Sequence, residues 1–92
     1  GVAFSPDAEQ QFLYIADRMN NKIWILNRED GEVVAEVGGM GENGGRFFGL
    51  HMIAVDSQGN IYTGEVESFR VQRFVPADSP RGELLQQLAD MP

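Results

Sequence analysis

His51 is the only histidine in this 92-residue chain, and it stands just before the short β-prone run Ile53–Asp56. A neutral imidazole is a good zinc ligand, but a catalytic zinc site needs about three protein ligands. His51 alone specifies no site, and the plainer reading is a histidine making ordinary hydrogen bonds. Asp17 and Glu65 each follow a predicted strand, and paired carboxylates invite acid–base chemistry or a calcium site. Their settings favour a structural role, as carboxylates in turns bond nearby backbone, and Asn20 and Asp56 read the same way. The Gly-rich stretch 38–50, GGMGENGGRFFGL, suggests a phosphate cradle. Such a cradle needs a strand before it and a helix after it, and no helical pattern follows. There is no cysteine, which excludes disulfides, thiolate metal sites and a cysteine nucleophile. Nucleophile-elbow, HExxH and P-loop patterns are also missing.

The elements that carry these residues repeat. Val2-Ala3-Phe4-Ser5 lies 51 positions before Ile53-Ala54-Val55-Asp56. Leu13–Asp17 lies 48 positions before Ile61–Glu65, and Lys22–Leu26 lies 48 before Arg70–Phe74. The offset returns to 51 for Asp30–Val34 against Arg81–Leu85, and each change falls in a predicted turn, where insertion costs little. The chain therefore reads as a tandem repeat of one four-stranded unit. Residues 1–37 form the first unit, 38–50 the crossing, 51–88 the second unit and 89–92 a tail. Leu84, Leu85, Leu88 and Met91 also fit a helical period. Alignment of RGELLQQL with DGEVVAEV instead predicts a fourth strand over Arg81–Met91, with a helical tail as the competing outcome. Trp24, Phe47, Phe48 and Phe74 are expected to pack between the two sheets, aromatic burial being a dominant packing contribution.

The wording IAVDSQGNIYTGE followed by RVQRF resembles the NHL repeat, a small-apolar strand, an Asp turn with Gly-Asn, an Ile/Leu-Tyr strand, an Ala-Asp step and an Arg-Val-Gln strand. The first unit carries Ala16-Asp17, Asn20 and Lys22 in place of Arg. The second has Gly64-Glu65 for Ala-Asp and Ser68 for Asn. The resemblance covers nearly the whole chain and looks closest to bacterial NHL proteins of unassigned function. It implies an all-β fold of two four-stranded antiparallel propeller blades, usually six to a ring, with the first strand of each blade lining a central channel. Amidating lyases that use an NHL-type propeller hold zinc with histidines placed before inner strands. That similarity would make His51 one metal ligand at the channel mouth, so zinc or calcium becomes possible in a complete ring, while none is expected for this chain alone.

Two blades cannot close a ring, and about three or more repeats are generally needed to bury a continuous core. Either the chain belongs to a longer propeller, or copies associate, three of them giving six blades. Ile23, Trp24, Ile25 and Leu26 make both faces of one strand apolar, the pattern of a strand buried on both sides. The net charge is −7, with eight acids against four bases over residues 1–50 and six against three over 51–92. No basic patch suited to nucleic acid exists. No apolar run suggests a membrane span or a signal peptide. An exported or periplasmic parent is compatible with this reading, and the compartment is otherwise undetermined.

Overall fold

A computed structural model describes residues 1–90, which form seven strands and one helix. Met91 and Pro92, from the expected fourth strand and tail, lie outside the described residues. Strands β1 (Val2–Phe4), β2 (Phe12–Asp17), β3 (Lys22–Asn27) and β4 (Val33–Gly38) make one antiparallel sheet in that order. Strands β5 (Leu50–Val55), β6 (Ile61–Glu65) and β7 (Arg70–Phe74) make a second antiparallel sheet. Helix α1 (Pro80–Ala89) follows.

The two sheets repeat in register as well as in wording. Val2 opposes Ile15, and their counterparts Ile53 and Thr63 oppose each other. Likewise Ala16 opposes Ile23 as Gly64 opposes Val71, and Asp17 opposes Lys22 as Glu65 opposes Arg70. The turns repeat too. The Ser5 N–H donates to the Phe12 carbonyl at 2.9 Å, and the Asp56 N–H to that of Asn60 at 3.0 Å. Asn21 and Phe69, 48 positions apart, take left-handed φ values of 51° and 53°.

The fourth strand expected over Arg81–Met91 is corrected: residues 80–89 are helical and the second sheet has three strands. Local chemistry explains the difference. Ser79 is extended, its hydroxyl accepts from the Gly82 N–H at 3.0 Å, and Pro80 occupies the first helical turn. Those are the preferred residues for an N-cap and the position after it. In the first unit the aligned positions are Val33, Val34 and Val37, whose branched side chains suit strands. Here they are Leu84, Leu85 and Leu88, which favour helix.

The sheets meet at a small joint. Ile23, Phe47 and Leu50 are fully buried, ringed by Tyr14, Ala16, Ile25 and Val37 of the first sheet and Ile53, Ile61 and Phe74 of the second. Phe47 comes from the crossing, and its ring lies 5.6 Å from that of Phe74. Gly38 makes room for it: φ is +101°, and a Cβ there would lie 2.3 Å from the Phe47 ring. Asn21 ties the joint across the sheets, its Oδ1 accepting the N–H groups of Gly49 at 2.8 Å and Leu50 at 3.2 Å. Phe48, expected beside Phe47, is instead 38% exposed. Phe47 already takes the space between Gly38 and Phe74, and the next residue is left at the surface. Phe47→Ala should therefore lower stability by about 3–5 kcal/mol, and the half-buried Phe48→Ala by only about 1–2 kcal/mol, as read from urea unfolding.

Candidate functional site

The carboxylates singled out from the sequence stand where strand meets turn, Asp17 and Glu65 as the last residues of β2 and β6 and Asp56 just after β5, and all are occupied there. Asp17 accepts the Asn20 N–H at 3.3 Å, the Asn20 side-chain amide at 2.7 Å and the Trp24 indole N–H at 2.8 Å. Asp56 accepts the N–H groups of Gln58 and Asn60, each at 2.9 Å, the Asn60 side-chain amide at 2.9 Å and the Tyr62 hydroxyl at 3.1 Å. Both carboxyls are held below the ordinary range, Asp17 chiefly by the Asn20 side chain and then Trp24, Asp56 chiefly by the Asn60 side chain.

Glu65 repeats the Asp17 arrangement with stronger partners. Ser68 and Gln72, the counterparts of Asn20 and Trp24, donate to it at 3.1 and 2.9 Å. Arg70 adds an ion pair at 2.8 Å, and the Phe48 N–H donates at 2.8 Å. The Glu65 side chain is wholly buried. Burial pushes its carboxyl up, but the bonds from Arg70, Phe48, Gln72 and Ser68 together hold it at about 2. Arg70 also donates to the carbonyls of Glu42, Asn43 and Arg46, and Gln72 to that of Arg46 at 2.7 Å. This network straps the crossing onto the second sheet. A carboxylate so fully engaged is a fixed anchor and a poor general base.

Trp24 lies on the face of the first sheet turned away from the second, opposite Ile15 and Glu36. Lys22 stands 5.4 Å over its ring and pairs with Glu36 at 2.7 Å. Phe74 is the aromatic that joins Phe47 between the sheets.

His51 is exposed on β5 and its carbonyl accepts from the Gly1 amino group at 3.2 Å. It borders an open cleft of about 280 Å³ lined also by Met52, Gly64, Glu65, Val66, Phe69, Arg70 and Val71. The described residues contain no group of three His, Cys, Asp or Glu side chains able to hold a metal. Glu65, which also lines the cleft, is already bonded by three side chains and a backbone N–H. Its oxygens are thus committed, and the cleft offers His51 no free acidic partner among the described residues. Sequence reading passed over Asn21, Arg70 and the apolar cleft. The repeat alignment carried a signal for the network, because Asp17, Asn20 and Trp24 map onto Glu65, Ser68 and Gln72 with one offset.

Comparison with protein-family models and with characterised proteins gave no match to this chain.

The low value of Glu65 fixes the sign of one pH effect. A carboxyl at about 2 in the folded chain against an ordinary 4.5 contributes stability that is fully present above about pH 4.5. That contribution is lost as pH falls toward 2, and amounts to about 3 kcal/mol at most. Glu65→Gln should be less stable than the parent at pH 7, with the gap closing as pH falls from about 4.5 toward 2. Asp7, Asp17 and Asp56 are lowered in both proteins, so thermal melts of the pair across that range isolate Glu65.

Proposed function

We propose that this chain is a noncatalytic scaffold of the NHL-type β-propeller, binding protein or small ligands and completing its ring by self-association. The observation that carries this reading is the pair of sheets with identical registers, stacked so that opposite faces of the repeat meet. Front-to-back stacking is open-ended: it leaves one used and one unused face on each sheet. Such heterologous contacts close into rings when the rotation per copy allows. Three copies would supply the six blades usual for the family it resembles. Fold alone assigns no chemistry, and the occupied state of Asp17, Asp56 and Glu65 supports a binding role over an enzymatic one.

The chemistry of His51 supplies the competing reading, a metal-dependent propeller enzyme whose ring brings several such histidines together. Light scattering coupled to size exclusion should give a mass of three chains, and elemental analysis of that species should show no stoichiometric metal. A stable, folded single-chain mass would overturn the ring. Stoichiometric zinc that disappears in His51→Ala would overturn the noncatalytic role.

A further inference from the structure

The two faces left open are the repeat counterparts of the two faces that meet. In the joint, Tyr14, Ala16, Ile23 and Ile25 of the first sheet are covered by the second. Their counterparts on the second sheet, Tyr62, Gly64, Val71 and Arg73, lie on its uncovered face beside Met52 and Ala54. Conversely, Ile53, Ile61 and Phe74 of the second sheet face the joint. Their counterparts Val2, Leu13 and Leu26, with Phe4, Ile15 and Trp24, make the uncovered face of the first sheet. Val71 is 74% exposed where Ile23 is sealed.

From this we infer that the uncovered face of the second sheet is a docking surface for the uncovered face of the first sheet of another copy. The inference rests on the self-association proposed above, and adds which surfaces meet and in what register. The intrachain joint gives the register directly. A Cβ built on Gly1 lies 3.7 Å from Ile53 Cγ2. Gly1 maps onto Met52 and Ile53 maps onto Val2, so Met52 of one copy meets Val2 of the next. These side chains are 65% and 62% exposed in the single chain.

A second observation points to the same surface. Phe69 is 89% exposed and held at a φ of +53°, a conformation a bulky residue seldom keeps without a reason. Its counterpart Asn21 has the same φ and is the residue that reaches across the joint to the backbone entering β5. Phe69 thus takes the bridging place on the uncovered face of the second sheet, beside Met52, Gly64 and Val71. A ring in place of an amide makes that bridge apolar, in keeping with the cleft it borders.

The absence of cysteine makes the test clean. Val2→Cys and Met52→Cys chains, mixed and treated with a short bismaleimide, should give covalent dimers containing one of each, while neither variant alone should crosslink. Val71→Glu should weaken association at least about tenfold, because it places an unpaired charge at the contact. Met19→Glu, on a side chain 92% exposed in a turn, should leave it unchanged. Crosslinking by either variant alone, with none gained on mixing, would overturn this pairing of faces while the association itself stood. A folded single-chain mass for the unmodified protein would remove both. Circular dichroism verifies that each variant is folded, and the exposed Val71 substitution gives an independent readout if a cysteine variant misfolds.

Discussion

Everything in this chain hangs on the sealed contact among Ile23, Phe47 and Leu50 and on the Asn21 amide beside it. A sheet of three or four strands has little independent stability unless one face is covered, and here each sheet has only the other. Among the described residues the fully buried apolar set is those three side chains, a thin margin even for a chain of this size. Asn21 matters out of proportion to its bulk. It sits in the left-handed region that Asn tolerates better than most residues, and its oxygen satisfies two backbone donors buried with it. Removing that acceptor leaves buried N–H groups without partners, which costs far more than the bonds contribute.

Polar groups do a parallel job at the turns. The Asp17, Asp56 and Glu65 clusters each gather donors from a turn and from the strand that follows it. Turn and strand are thereby fixed together without much apolar burial. The Glu65–Arg70–Gln72 group goes further and holds the Gly-rich crossing to the second sheet. That crossing delivers Phe47, so the ionic network and the apolar joint depend on each other. Candidate acid–base chemistry and structural anchoring compete for the same oxygens, and anchoring takes them.

Seven strands and their pairing were legible in the sequence because the repeat supplies each strand with a second copy of its own pattern. The eighth was not. Alignment with Glu32–Val37 carried the register but ignored the change from Val to Leu and the Ser79-Pro80 start signal, both local preferences that a repeat does not transmit. Asn21 and Arg70 escaped notice for a different reason. Their partners Gly49, Leu50 and Arg46 lie 28, 29 and 24 positions away, and no spacing rule links such residues before the sheets are stacked. Phe47 and Phe48 are alike in the sequence, two adjacent rings in the crossing between units, but only Phe47 is sealed in the joint. His51 could be placed beside its strand, but one imidazole without companions specifies no chemistry.

The joint makes the two sheets one cooperative unit. Native-state hydrogen exchange at the Gly49 and Leu50 amides reads that directly, because both donate across the sheets to Asn21. These two amides should exchange only through global unfolding, with the same free energy and denaturant dependence as the central strand amides of β2 and β6. Exchange through a smaller local opening, while β2 and β6 stay protected, would contradict the joint as the element on which the fold depends.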